Sequence, residues 1–316
     1  MATLAIAALT FACFEWSQPR FEGRTAREWV KDLVRNEPNA RRALIALGAD
    51  AVPALIEAVE QKQSRWIRFL DSLRPNVPKF VARHLPRRFE AEARGQRAVE
   101  VLYELGTNAA PAVPALIRND LQRDNWWEFT GAHAALINVG AAGAPQFIRV
   151  LRSRDPRERV AAARYLGEIG PAAHKAAPYL ARLIRDPDSL VQTEAVAALA
   201  QIGPSARAAT PNLRAALTTT NVEFRLRVAE SLWYVDHDSQ TITPILVAVL
   251  SNRNDPYRPK AAALLGLMGP GAAAAVPTLK SVTNEDFSYT RVKAEEALSL
   301  IGKSVEVPAP HSPGSP

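Results

Sequence analysis

Residues 151–170, LRSRDPRERVAAARYLGEIG, and 184–203, IRDPDSLVQTEAVAALAQIG, decide the fold. Each ends on a glycine, Gly170 and Gly203, 33 residues apart. Leu166 and Leu199 stand four residues before those glycines, Ile169 and Ile202 one before, and Ala162 and Ala195 eight before. Offsets of eight, four and one lie on a single face of a helix with about 3.6 residues per turn.

The register extends along the chain. Gly48, Gly106, Gly140, Gly170, Gly203, Asp236, Gly269 and Gly302 serve as anchors, spaced by 33 residues from Gly170 onward. Earlier gaps are 34 and 30 residues, with one of 58. The residue four before each anchor is leucine every time: Leu44, Leu102, Leu136, Leu166, Leu199, Leu232, Leu265 and Leu298. Eight before stand Ala40, Ala98, Ala132, Ala162, Ala195, Val228, Ala261 and Ala294. The anchor falls where a helix C-cap needs a left-handed residue. Asp236 is expected to take that conformation in place of glycine.

A proline opens a second helix in each unit. Pro53, Pro114, Pro145, Pro178, Pro211, Pro244 and Pro277 lie five or eight residues past their anchors. In a first helical turn proline loses no hydrogen bond. Two residues on stand Leu55, Leu116, Phe147, Leu180, Leu213, Leu246 and Leu279. Asp155, Asp188, Asn221 and Asn254 then punctuate the return as caps or turn residues. Neither helix buries its stripe alone, but stacked pairs do.

The segments 151–170 and 184–203 resemble HEAT repeats, and the resemblance covers roughly residues 37–303. It implies an all-α, right-handed α-solenoid of about eight HEAT-type helix–turn–helix repeats. The family serves mainly as protein-binding scaffolding. FEGRTAREWVKDL (21–33) resembles the pre-repeat helix of exported bacterial members, giving a capping helix over 21–36. Arg159, Arg225, Arg258 and Arg291 stand eleven before their anchors. The resemblance implies that they pair with an aspartate of the neighbouring turn and are structural.

The ends depart from the repeat. An apolar N-terminal segment occupies 1–20, and residues 2–14 are apolar apart from two threonines. At that length they do not span a bilayer. They fit a signal or membrane-anchor remnant, an apolar helix on the first repeat, or lipidation at Cys13. Membrane association or export therefore weighs slightly over a cytoplasmic location. Cys13 is the chain's one cysteine, which excludes an intramolecular disulfide and a Cys-rich zinc site. Residues 304–316 form a Pro/Ser tail expected to be disordered.

The 58-residue gap holds an insertion at about 62–93. Across 62–97 stand ten basic and three acidic residues, a surplus equal to the net charge of +7 on the whole chain. Arg65, Trp66, Arg68, Arg83, Arg87 and Arg88 make it a basic amphipathic element. It is either packed structure with solvated arginines or a docking element. As the latter it suits an anionic membrane surface or an acidic protein groove, and nucleic acid less well.

Other candidates are weighed against plainer roles. Arg118, Arg149 and Arg182 lie four residues after their prolines, and Arg152 and Arg185 follow one turn later. On the concave side of a HEAT array they would form a ridge for carboxylates or phosphates. The plainer reading pairs them with Asp155, Asp186, Asp188 or nearby glutamates. Trp126 and Trp127 open one unit. They fit inter-repeat packing, or the cleft of a HEAT-like DNA glycosylase. A bilin-lyase-type enzyme is the other catalytic rival, without a motif here.

None of the five histidines has a partner at metal-binding spacing, and no nucleophile elbow or phosphate-binding loop occurs. The expectation is a non-catalytic scaffold for a protein partner, acidic in character, with no cofactor, metal or small-molecule substrate.

Overall fold

A computed structural model describes residues 18–35, 38–61, 69, 72, 78, 88–121, 131–285 and 288–302. The fold is an α-solenoid of helix pairs. The chain forms two compact units, Met1–Tyr165 and Leu166–Pro316.

The first unit opens with a two-stranded hairpin, β1 (Arg20–Phe21) and β2 (Arg24–Thr25), followed by α1 (Ala26–Asp32). Thr25 starts that helix. Its amide donates to the Glu28 carboxylate at 2.7 Å, and its hydroxyl to the same oxygen at 3.0 Å. This half of a capping box holds Glu28 below the usual carboxylate range through the Thr25 bonds. Trp29 fastens hairpin to helix: its indole N–H donates to the Phe21 carbonyl at 3.1 Å, and Arg24 lies over its ring at 4.0 Å. Helix pairs follow as α2 (Pro38–Leu47) with α3 (Val52–Gln61), α4 (Arg88–Leu105) with α5 (Val113–Asp120), and α6 (Gly131–Val139) with α7 (Ala144–Val150). Residues 88–93 are thus continuous with the first helix of the second pair.

The unit division falls within α8 (Pro156–Ile169), which pairs in sequence with α9 (Ala177–Leu183). The second unit continues with α10 (Ser189–Ile202) and α11 (Thr210–Ala216), then α12 (Val222–Asp236) and α13 (Ser239–Ser251). Next come α14 (Arg258–Met268) and α15 (Val276–Thr283), and finally α16 (Tyr289–Gly302).

The core follows the sequence registers. Every residue eight before an anchor is buried, from Ala40 to Ala294. Of the eight leucines, seven are fully buried, and Leu298 on α16 is half-buried. The residues two past the prolines, Leu55 through Leu279, are fully buried without exception. Each such side chain contributes about 1.5–3 kcal/mol by leaving water. Residues Arg258–Thr283 are long and apolar enough to cross a membrane by composition. Here Gly269 breaks them at φ 55°, and Leu265 and Leu279 are core residues of the seventh pair.

Two anchors behave differently from the sequence expectation. Asp236 remains helical, and the left-handed residue is His237, at φ 53° and ψ 34°. The His237 ring lies 4.7 Å from that of Trp233. Its neighbour Asp238 accepts the Thr241 amide and starts α13 at Ser239, so Pro244 lies inside that helix and not in its first turn. Gly302 is helical, with no positive φ. Asp188 and Asn221 do cap α10 and α12. In the seventh pair Asp255, and not Asn254, accepts the amide two residues on, from Tyr257 at 2.9 Å.

Candidate functional site

In α5, α7 and α9 the proline presets the first turn, and the buried residue two positions on fixes which face turns inward. The arginine four past the proline then stands near the helix end. In the first unit Arg118, on α5, forms an ion pair with Glu60 of α3. Arg149, on α7, is exposed, and its side chain has no partner among the described residues. Arg152 is exposed in the turn after α7. In the second unit Arg182, on α9, is exposed and lies 5.9 Å from the Tyr179 ring. Arg185 is exposed, and its side chain has no partner among the described residues.

The plainer reading therefore holds for Arg118 through Glu60. The aspartates it offered to the others accept bonds within their own turns. Asp155 accepts the Arg157 amide at 2.9 Å and pairs with its guanidinium at 3.0 Å, which holds it below the usual carboxylate range. Asp186 accepts the Asp188 amide at 2.9 Å. Asp188 accepts the amides of Leu190 and Val191. The turns consume these carboxylates because their backbone N–H groups need acceptors.

Arg65, Trp66, Arg68, Arg83, Arg87, Trp126 and Trp127 lie outside the described residues, as does Cys13. Arg88 begins α4.

The first-helix arginines have a backbone partner that the sequence comparison did not supply. Arg159 donates to the Ser153 carbonyl at 2.9 Å, and Arg225 to the Thr219 carbonyl at 3.3 Å. Buried Arg258 donates to the Leu250 carbonyl at 2.8 Å and to Glu285 at 2.7 Å. Gln192 occupies the same register and donates to the Asp186 carbonyl at 2.7 Å. The position serves orphan carbonyls of the inter-repeat turn. Arg291 differs, pairing with Glu295 on its own helix at 2.9 Å.

Two polar clusters escaped the sequence reading. Arg214, on α11, bridges Asp236 at 3.3 Å and Asp238 at 2.7 Å, and Arg207 adds a pair to Asp236 at 3.1 Å. The triplet Asp236–His237–Asp238 is thus an ion-paired turn. In the first unit, the Tyr165 hydroxyl donates to Asp120 at 2.9 Å and bonds His133 Nδ1 at 2.7 Å. Phe147 stacks on Tyr165, with ring centroids 5.6 Å apart. The Arg207 and Arg214 partnership had a signal in the three adjacent polar residues. The Tyr165 chain had none, since its members are 32 and 45 residues apart. Among the described residues no three His, Cys, Asp or Glu side chains gather as a metal site.

Residues 144–232 match the family model of HEAT repeats. No curated protein matches the chain. Among solved structures, an engineered protein matches at 18% identity, with 89% of this chain and 95% of that chain covered and a TM-score of 0.42. The karyopherin Kap121p, in a mutant form, matches at 20% identity over 85% of this chain and 34% of its own, with a TM-score of 0.50. Kap121p bound to the extreme C-terminus of the protein phosphatase Cdc14p gives 20% identity, 86% and 33% coverage, and 0.49. This chain thus spans about a third of the karyopherin's length. Residues 144–232 thus carry HEAT repeats, and the same buried register of small residues runs from Ala40 to Ala294.

Proposed function

We propose that the chain is a non-catalytic scaffold that binds protein partners, and that exposed arginines of its second helices grip acidic groups on them. One observation carries this reading: Arg149 in the first unit and Arg185 in the second are exposed and unpartnered among the described residues, although aspartates stand close in sequence. A guanidinium left so presents a planar fork that matches a carboxylate with two parallel hydrogen bonds. The repeat architecture supports the same reading, because stacked helix pairs bury a linear core and leave long surfaces on either side of it.

The test is affinity purification from the native cell with three baits: the full chain, an Arg149→Glu/Arg185→Glu variant, and a chain lacking residues 62–87, which leaves α4 whole. Loss of acidic partners with the charge-reversed bait is the expected result. Identical recovery from the full and charge-reversed baits overturns the arginine reading. Loss with the deletion alone moves the docking element to the basic insertion.

A further inference from the structure

One register of the second unit's first helices is charged. Nine positions before the anchors stand Glu194 on α10, Arg227 on α12, Lys260 on α14 and Lys293 on α16. They recur once per repeat, so they share a face. Lys260 is set apart within it. Of the five lysines among the described residues, Lys31, Lys175 and Lys280 are exposed, and Lys260 and Lys293 are half-buried. Lys293 has Glu296 at 2.7 Å. Lys260 has no hydrogen bond or ion pair among the described residues.

The surroundings of Lys260 disfavour a charged amine. It is the third residue of α14, in a first turn where the helix dipole is positive and no acidic residue stands. The neighbouring helix α12 presents Arg227 at the same register. Of the acids on α12, Glu223 is taken by Arg227 at 2.9 Å and by the Tyr257 hydroxyl at 3.3 Å. Glu230 attracts Lys260 but does not reach ion-pair distance. The other elements around α14 add no compensating acid. α13 carries no titratable side chain, and α15 carries only Lys280. On α16, Arg291 pairs with Glu295 and Lys293 with Glu296. In the turn before α14, Asp255 accepts the Tyr257 amide, and Arg253 and Arg258 pair with Glu285. Burial therefore pushes the Lys260 ammonium below the ordinary lysine value, Arg227 pushes it the same way, and Glu230 and Glu223 oppose them without reversing the direction.

We propose that Lys260 is an acylation site, taking an acyl group from an activated donor, a thioester or an acyl phosphate. The lone pair of neutral Nζ attacks the acyl carbon and forms a C–N bond. The C–S or C–O bond to the leaving group breaks, and the thiolate or phosphate departs with the electron pair. The nitrogen then gives its extra proton to water. A lysine desolvated beside another cation is activated for such attack, because more of it is neutral. The amide formed carries no charge, so burial, the helix dipole and Arg227, which disfavour the ammonium, no longer act against the side chain.

The test incubates the full chain at about pH 7.5 with acetyl phosphate in one arm and acetyl-coenzyme A in the other, and follows the occupancy of each lysine by peptide mass spectrometry. Lys175 and Lys280, exposed in the same unit, are the internal standards. Lys260 is expected to be acetylated about threefold faster than either, or more, and the excess should shrink toward about pH 10 as exposed lysines also lose their protons. Arg227→Gln should slow Lys260 about twofold and Glu230→Gln should speed it about twofold, with Lys175 unmoved. Arg227 is exposed and Glu230 half-buried, so helical circular dichroism should be kept in both. These opposite signs separate control by charge from control by access. A faster Lys260 with one donor alone supports the site and assigns its donor class. Lys260 no faster than Lys175 and Lys280 with both donors, or unchanged in both variants, overturns the proposal.

Discussion

Arg258 donates its Nε–H to the carbonyl of Leu250 at 2.8 Å, across the turn between α13 and α14. The side chain is nearly buried, and its other end pairs with Glu285 at 2.7 Å. Gln192 donates to the carbonyl six residues back, Asp186, as Arg225 does to Thr219. Arg225→Gln should therefore cost no more than about 1 kcal/mol, one ordinary hydrogen bond exchanged for another. Arg258→Gln loses the ion pair as well and leaves Glu285 without that partner. It should cost about 2–4 kcal/mol, between a charged hydrogen bond and a broken buried pair. Urea unfolding of the two variants checks the contrast, and equal losses would contradict it.

The same pair contributes to the acid limb of stability. The Arg258 bond holds the Glu285 carboxyl below its ordinary value, against the opposing effect of burial. At Asp238 burial pushes upward, but bonds from Thr241 and Arg214 outweigh it and the net direction is down. A carboxyl lowered on folding contributes stability that is fully present above its unfolded pKa, about 4, and is lost as pH falls through the folded value. The urea midpoint should therefore drop between about pH 5 and pH 3. Arg258→Met should show a shallower drop, because Glu285 loses the largest interaction that lowers it and keeps the weaker one with Arg253. Parallel slopes for wild type and variant would refute the assignment.

Leu199 and Leu232 are fully buried, whereas Leu298 occupies the same register on α16 and is half-buried. Replacing Leu199 or Leu232 by Ala should cost about 2–5 kcal/mol through lost burial and the cavity left behind. Leu298→Ala should cost less than either, since its surroundings are already partly water. Equal losses at the three sites would mean that α16 is covered as fully as α10 and α12.

Backbone conformation separates two glycines of one register. Gly203 sits at φ 66° and ψ −141°, a region that disfavours any side chain, whereas Gly302 is helical. Gly203→Ala should destabilise by about 1–3 kcal/mol. Gly302→Ala should be neutral or stabilising by up to about 1 kcal/mol, from helix propensity. Thermal melts of the two variants decide it.

The helical registers were legible because burial repeats with the helix period and does not depend on partners distant in sequence. Leu44 through Leu265 and Leu55 through Leu279 show this directly. His237 was not legible as the sixth left-handed residue, because constant spacing points to Asp236 and the shift depends on Asp238 starting α13 early. Carbonyl partners of Arg159, Arg225 and Arg258 leave no trace in a sequence, since every residue carries a carbonyl. For the arginines, the sequence found Arg149 and Arg185 but not which carboxylates the turns had already engaged.

Tyr165 links Asp120 and His133 through one hydroxyl, and that hydroxyl has a single proton. Tyr165 spends it on the Asp120 carboxylate, so the second bond needs a proton on His133 Nδ1. The ring nitrogen shifts of His133 should accordingly report a protonated Nδ1 when the imidazole is neutral, against the usual preference of free histidine for the other tautomer. Tyr165→Phe keeps the stacking with Phe147 but removes both bonds. It should cost about 1–2 kcal/mol, the net worth of two ordinary hydrogen bonds. It should also release the His133 tautomer toward its free distribution. Nitrogen-15 spectra of the two proteins decide this: an unchanged His133 pattern in Tyr165→Phe would show that another group, and not the tyrosine hydroxyl, sets the tautomer.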